Sequence, residues 1–308
     1  MSAPIDIPER IREKALEMGF IACGFANPNR LDHLENPFSQ WLDDGYAGTM
    51  EFLHRNRDLR LDPAGLLPGV KTVISLAGSY HDPTPPANSP FSRYARIPDY
   101  HRVLKIKARA LAEWMNGQFG SAEYRIFTDS APLFEKEWAR RAGLGWIGKH
   151  GLLIHPEAGS WIFLCEILTC IEIPADRTPI PDRCGSCTRC MDACPTQAIV
   201  SPGRIDPRKC ISYLTIETKE EIPESFSGKW NHTVYGCDIC QEVCPWNQHV
   251  LPASMPEFYP SGDLTGLTME DLENLKEEEF SALFDGTPIQ RGGLFRILRN
   301  FAFVKDVK

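Results

Sequence analysis

The strongest constraint on this chain is a run of closely spaced cysteines in its second half. The run has the spacing C-x2-C-x2-C-x3-C-P and consists of Cys184, Cys187, Cys190, Cys194 and Pro195. Bacterial ferredoxins that hold two [4Fe-4S] clusters use this spacing, and in them the fourth cysteine binds the other cluster. The closely spaced thiolates can cover one face of a cubane, whereas the fourth joins two segments of chain. The run therefore predicts an iron–sulphur protein with two clusters.

A second and shorter run completes the ligand sets. It has the spacing C-x2-C-x3-C-P, formed by Cys237, Cys240, Cys244 and Pro245, and Cys210 can supply its missing first cysteine. Crossed ligation then assigns cluster one to Cys184, Cys187, Cys190 and Cys244. It assigns cluster two to Cys194, Cys210, Cys237 and Cys240. All eight clustered thiols are used, and none is left over.

The main alternative for these cysteines is a pair of zinc sites, because C-x2-C pairs also build zinc ribbons. The two Cys-Pro endings and the crossed pattern favour iron and sulphur. The other three cysteines, Cys23, Cys165 and Cys170, lie in apolar segments and are expected in the core. The N-terminus carries no secretion signal, and no stretch reaches the length of a membrane span. We therefore expect reduced thiols, a cytoplasmic protein and no membrane association.

The remaining sequence predicts an α/β N-terminal domain followed by a ferredoxin-like two-[4Fe-4S] domain and a short helical C-terminus. We place these parts at residues 1–178, 179–250 and 251–308. In the first part, residues 71–78, 124–128 and 161–168 are strand-like, and 100–119 and 131–142 are helix-like. Prolines after residue 173 mark the first boundary. The closing segment GGLFRILRNFAF predicts one packed helix.

The net charge of −8 does not exclude a nucleic-acid partner, because the negative charge is local. Residues 257–285 alone carry −8, so the rest of the chain sums to zero. Bases are concentrated in residues 88–109, with six against one acid, and in residues 286–308, with five against one. Such patches can attract phosphates despite an acidic total.

Three short motifs could indicate a ligand-binding or catalytic site, but each also has an ordinary structural explanation. The G-x-G-x-x-G at residues 143–148 follows a predicted helix and precedes a strand-like segment, which is the reverse of a dinucleotide-binding turn, and we reject it. Asp99 and His101 partly match the D-x-H-x-x-G motif of cobalamin proteins, but Leu104 occupies the glycine position, and a histidine near a helix start is favoured. Asp129 lies between a strand-like and a helix-like segment, where a helix cap and an acid catalyst are equally expected.

Several segments together resemble the epoxyqueuosine reductase family, cobalamin-dependent enzymes of the last step of queuosine synthesis in tRNA. They cover most of the chain in the family's order, with Lys209 where arginine is usual. The segments are LRLDPAGLLPGVKTVISLA (59–77), SRYARIPDYHRVLK (92–105), TDSAPLFEKEWARRAGLGWIGKHGLLI (128–154), CGSCTRCMDACPTQAI (184–199), KCISYLTIE (209–217) and YGCDICQEVCPWN (235–247).

The resemblance implies a cobalamin between the α/β and cluster domains, with its lower nucleotide displaced and no side chain bound to cobalt from below. The positions that would contact the cofactor are Arg60, Ser92, Asp129, Leu153, Leu164, Ser212 and Asp238. Asp129 would also be the catalytic proton donor, and Lys219 would contact tRNA. Some relatives carry cysteine where this chain has Ser92, so no thiol chemistry is expected there. Longer relatives continue into helical repeats beyond the point where this sequence ends.

The resemblance also implies the activity: reduction of epoxyqueuosine to queuosine in the tRNA anticodon loop, with cobalamin and two [4Fe-4S] clusters as cofactors. The expected partners are tRNA carrying epoxyqueuosine and an external low-potential electron donor, and we expect a monomer. One alternative is a reductive dehalogenase-like cobalamin enzyme, although such enzymes typically carry a twin-arginine export signal that this N-terminus lacks. Another is a non-catalytic two-cluster electron-transfer module.

Overall fold

A four-stranded antiparallel sheet forms the centre of the N-terminal half. The computed structural model describes residues 6–83, 89–230, 232–259, 264 and 266–305. The strands are β1 Ala22–Ala26, β2 Thr72–Ser79, β3 Tyr124–Phe127, β4 Trp146–Ile147, β5 Leu153–Ile154, β6 Ile162–Thr169, β7 Ile199–Ser201 and β8 Arg204–Ile205. The large sheet has the order β1-β2-β6-β3, and the short strands pair as β4-β5 and β7-β8.

Helices pack on both faces of this sheet, and short helices recur through the C-terminal half. The longer ones are α1 Ile7–Glu17, α2 Asp32–Asp43, α5 Tyr100–Phe119 and α12 Gly293–Val304. The shorter ones are α3 Phe52–Arg55, α4 Arg57–Leu61, α6 Glu135–Arg141, α7 Arg189–Ala193, α8 Ile211–Ile216, α9 Ile239–Glu242, α10 Met269–Glu273 and α11 Glu277–Leu283. Within the described ranges, no helix combines the length and the apolar character needed to cross a membrane.

Alternation along the central strands divides the core into two layers. Ile74 and Leu76 of β2 pack on one face with α1 and α5, and Val73 and Ala77 pack on the other face with α6. Cys23 and Cys165 lie in the first layer, as expected, whereas Cys170 is half-buried at its strand end. Both faces are covered, so the central strands β2 and β6 are almost wholly buried, whereas the edge strand β3 is partly exposed.

A third core joins the cluster segment to the C-terminal helices. Asn300 of α12 is fully buried, and its side-chain amide donates to the carbonyls of Thr215 and Val234, both at 2.8 Å. Met255, in contrast, is buried in the N-terminal layer beside α1. Packing thus crosses the boundaries expected near residues 178 and 250, and those bounds stay predictions.

Most elements expected in the N-terminal half are confirmed: β2, β3, β6 and α5 lie where the sequence patterns put them, and α12 matches the closing segment. The helix expected over 131–142 is shorter, because residues 128–134 form a turn and α6 begins only at Glu135. The first strand, β1, was not foreseen. Residues 260–263, 265 and 306–308 of the expected helical C-terminus lie outside the described residues.

Candidate active site

One large cavity lies between the central sheet and the cluster segment, and its volume is about 950 Å³. Phe163 of β6 and Tyr100 of α5 form part of one wall, and Ile211 of α8 forms part of another. Arg291 enters from the C-terminal segment and pairs with Glu217 at 2.6 Å. Its size and mixed apolar and polar walls suit a large organic cofactor.

Asp129 projects into this cavity from the turn after β3. Its backbone has a φ of +56°, in the left-handed region where aspartate and asparagine are the best tolerated residues after glycine. The Tyr100 hydroxyl donates to Asp129 Oδ2 at 3.1 Å, and His101 Nε2 lies 3.3 Å from the same oxygen. Since α6 begins six residues later with Phe134 as its N-cap, Asp129 is not a helix cap.

His101 is held between two carboxylates. Asp99 is the N-cap of α5, and its Oδ1 lies 2.7 Å from His101 Nδ1, while Nε2 faces Asp129. Burial lowers the pKa of His101, but the hydrogen bonds and charges of Asp129 and Asp99 outweigh it and raise this pKa to about 9. The same bond lowers the pKa of Asp129 despite its burial. At neutral pH the pair is therefore an imidazolium facing a carboxylate.

Glu135, the first residue of α6, lies behind Asp129 in the cavity wall. Its Oε1 accepts the backbone N–H of Asp129 at 2.5 Å. Burial raises the pKa of Glu135, and the charge of Asp129 raises it further. The next residue, Lys136, also lines the cavity and donates to the Gly151 carbonyl at 2.6 Å, and burial lowers its pKa.

The structure brings five of the seven expected cofactor contacts to the cavity wall: Asp129, Leu153, Leu164, Ser212 and Asp238. Arg60 and Ser92 are not among the residues that line it. Arg60 is buried, with its guanidinium over the Phe52 ring. Ser92 is buried behind Gly236, where a Cβ atom would lie only 2.0 Å from the serine hydroxyl oxygen. Lys219 is exposed and lies outside the cavity.

Four of the eight clustered thiols line the cavity, and the other four do not. The four assigned to cluster two line the cavity: Cys194, Cys210, Cys237 and Cys240. The four assigned to cluster one do not: Cys184, Cys187, Cys190 and Cys244. The loop of the first cysteine run is held from outside by Lys149, whose Nζ donates to the carbonyls of Gly185 at 2.7 Å and Cys187 at 2.9 Å.

The electrostatic neighbours of most of the thiols follow the same division, although Cys190 of the cluster-one set also acts on Cys240. Burial raises the pKa of Cys244, and Cys184 and Cys187 raise it further. Burial likewise raises the pKa of Cys237, and Cys210 and Cys194 raise it further. Eight gathered thiols are a donor set that fits two iron–sulphur clusters, since the ligand is the thiolate. In the part of the chain that the structure describes, no group of three or more His, Cys, Asp or Glu side chains is arranged around a single metal ion.

These features define an iron–sulphur oxidoreductase with a large cavity lined by four of its eight clustered thiols. The family model described as a 4Fe-4S double cluster binding domain matches residues 183–247. The model described as epoxyqueuosine reductase QueG, DUF1730, matches residues 60–130. The chain belongs to the epoxyqueuosine reductase family, and its double-cluster fold is thereby confirmed.

Individual relatives support this assignment over nearly the full length. Epoxyqueuosine reductase of Leadbetterella byssophila is 43% identical over 98% of this chain and 99% of its own. A crystal structure of an epoxyqueuosine reductase with an epoxyqueuosine-modified tRNA-Tyr stem loop has a TM-score of 0.89 at 31% identity, covering 97% of this chain and 80% of that one. A Bacillus subtilis epoxyqueuosine reductase, with an aspartate-bearing catalytic loop swung out of its active site, has a TM-score of 0.87 at 31% identity, covering 97% and 81%.

Sequence reasoning missed two residues of this site. His101 was interpreted as an ordinary histidine at a helix start, although it faces the cavity and Asp129. Its spacing from Asp99 was the available signal, because an N-cap aspartate two residues earlier orients the imidazole. Glu135 gave no sequence signal, since nothing local indicates that its side chain reaches back to Asp129.

Replacing Asp129 by asparagine should lower the pKa of His101 from about 9 towards its ordinary 6.5, because the change removes one of two flanking carboxylates. NMR titration of the imidazole in protein with oxidised clusters measures this. The control Asp43→Asn, on α2 and outside the cavity wall, should leave the titration unchanged. An unaltered His101 pKa in the Asp129 variant would show that the pair does not form.

Proposed function

We propose that this protein reduces epoxyqueuosine to queuosine in the anticodon loop of tRNA, with cobalamin in the cavity and two [4Fe-4S] clusters beside it. The carrying observation is that one cavity is lined by the cluster-two thiols on one side and by the Asp129–His101 pair on another. The reaction converts an epoxide to an alkene and water, which consumes two electrons and two protons. The two sides of the cavity can supply these separately.

The electron side consists of the two thiol sets. When bound, the clusters would supply single electrons at low potential, and cobalamin would supply a strongly reducing cobalt centre. Because only the cluster-two set lines the cavity, we assign cluster two to the position next to the cofactor and cluster one to the entry from an external electron donor. Leu153, Leu164, Ser212 and Asp238 would hold the cofactor, and Arg60 and Ser92 would support the wall from behind.

The proton side is the Asp129–His101 pair. Asp129 is a carboxylate in the open cavity, and the proton lies on His101. Filling the cavity removes water, which disfavours the two charges and favours transfer of the proton along the hydrogen bond to Asp129. Asp129 then donates it to the epoxide oxygen, and after the pair takes up a second proton from solvent, the same oxygen is protonated again and leaves as water. The Bacillus subtilis relative, whose catalytic loop carries an aspartate, supports this role for residues 128–134.

The tRNA side lies at the cavity mouth. An anticodon loop is single-stranded, so its base can be turned out into a pocket while cations hold the phosphates. Lys219 is exposed on the segment after α8, and Arg291 lies at the cavity on the C-terminal segment. The relative solved with an epoxyqueuosine-modified stem loop supports a tRNA partner. We further propose that the protein is cytoplasmic, because thiols that bind iron–sulphur clusters require a reducing compartment. We also propose that it is a monomer.

A direct assay tests the activity. Protein reconstituted with clusters and cobalamin, a strong reductant and epoxyqueuosine-containing tRNA should give a nucleoside that has lost one oxygen atom, detected by mass spectrometry. The reaction should need cobalamin and both clusters. Unchanged nucleoside with fully loaded protein would refute the proposed reaction.

Substituting Asp129 by asparagine tests the proton donor. Asparagine tolerates the left-handed backbone at this position but cannot release a proton. Single-turnover alkene formation should fall about 10²–10⁴-fold, while thermal unfolding, iron content and cobalamin binding stay close to the parent. A folded, fully loaded and active Asp129→Asn enzyme would remove Asp129 from this role.

Substituting Cys194 by serine tests the crossed ligand sets. The variant should lose cluster two and largely keep cluster one, seen as a partial loss of iron and of one electron paramagnetic resonance signal. Cys170→Ser is the matched control, because Cys170 lies outside both ligand sets. The Cys170→Ser protein should retain all its iron. Selective loss of the cluster bound by Cys184, Cys187 and Cys190 would contradict the assignment.

A further inference from the structure

The turn that carries Asp129 has few bonds of its own. Between β3 and α6, its internal backbone bonds run from Ser130 N–H to the Thr128 carbonyl at 2.5 Å and from Leu133 N–H to the Ala131 carbonyl at 2.8 Å. Asp129 adopts a left-handed conformation, which costs free energy for any residue with a Cβ atom. The surroundings must therefore hold this turn in place.

Besides the bonds of Tyr100 and His101 to the Asp129 carboxylate, two side chains tether the rest of the turn from outside. Lys105 of α5 donates to the Ser130 hydroxyl at 3.0 Å, but this bond is exposed to water. Glu135 accepts the N–H of Asp129 itself at 2.5 Å, from within the cavity wall. Glu135 also has a firm base, because Trp138 and Ala139 of the same helix are fully buried against the sheet. The second tether is thus the shorter, and it holds the backbone of the acid itself.

The charges around Glu135 are compatible with a carboxyl group beside the Asp129 carboxylate. Asp129 itself, His101 and Lys105 of α5, Glu166 of β6 and Arg60 of α4 all face it or act on it. Burial and the charge of Asp129 raise the pKa of Glu135. A neutral Glu135 avoids repulsion between two carboxylates, and its carbonyl oxygen still accepts the Asp129 N–H.

We propose that Glu135 is a positioning residue that holds the turn of residues 128–134 against the cavity, and so keeps Asp129 aimed at the substrate. The inference rests on the proposed role of Asp129 as the proton donor. Glu135 does not touch the reacting atoms. It acts through one hydrogen bond to the Asp129 backbone, so an oxygen acceptor of the same length is what the position requires.

Two near-isosteric substitutions separate the hydrogen bond from the charge. Glu135→Gln keeps a carbonyl acceptor, whereas Glu135→Met keeps the length but loses the strong acceptor. With saturating epoxyqueuosine tRNA, kcat should fall about tenfold in Glu135→Met, the equilibrium factor of one hydrogen bond, and stay within about twofold in Glu135→Gln. KM for tRNA and cobalamin binding should not change in either. Ser130→Ala, which removes the Lys105 tether and the bond of the Ser130 hydroxyl to the Thr128 carbonyl but keeps Glu135, should also stay within about twofold.

Hydrogen–deuterium exchange measures the turn without any substrate. The peptide covering residues 128–134 should exchange faster in Glu135→Met than in the parent, and at the parent rate in Glu135→Gln. Glu135→Ala repeats the loss of acceptor if methionine disturbs folding. Unchanged exchange in both variants that lack an acceptor, or an equal fall of kcat in Glu135→Gln and Glu135→Met, would overturn the proposal. Because exchange is read on the free holoenzyme, altered exchange together with no nucleoside reduction in the parent would refute the proposed function and leave the tether intact.

Discussion

The site depends on a seam of hydrogen bonds between residues 90–93 and 234–238. Val234 N–H donates to the Pro90 carbonyl at 2.7 Å, and Ser92 N–H donates to the Tyr235 carbonyl at 2.9 Å. Asp238 Oδ2 accepts the Arg93 N–H at 2.7 Å. The seam joins the loop of Cys237 and Cys240 to the segment that leads into α5. It therefore sets how far the cluster-two thiols lie from His101 and Asp129.

The pKa values of three carboxyl groups differ with their distance from the cavity. Glu166 lies fully buried in the sheet, opposite Ser75 of β2. Burial raises its pKa well above the ordinary value, so it is neutral, because an unpaired buried carboxylate would be costly. Burial also raises the pKa of Glu135, in the wall. Asp129, at the cavity itself, has a lowered pKa, because His101 supplies a compensating charge.

Features fixed by short sequence spacing could be predicted, and features made by tertiary contact could not. The double-cluster segment follows from the local cysteine spacing, and α5 begins at Tyr100, where the sequence pattern puts it. The start of α6 was placed too early, because the turn that carries Asp129 is stabilised by Glu135 and Lys105 rather than by its own sequence. His101 and Asp129 are 28 residues apart, and only the packing of α5 against the sheet brings them together.

The two sides of the cavity are held by different kinds of contact. On the electron side, the seam fixes the thiol loops through backbone hydrogen bonds, and Gly236 has no Cβ because the Ser92 hydroxyl fills that space. On the proton side, the acid lies on a turn held by side chains. In the role of proton donor that we propose for Asp129, its carboxyl must lie within hydrogen-bond distance of the leaving oxygen, and the side-chain bonds to the turn set that position. The thiol loops and the acid turn are thus positioned by separate sets of contacts, so electron delivery and proton delivery can be altered independently.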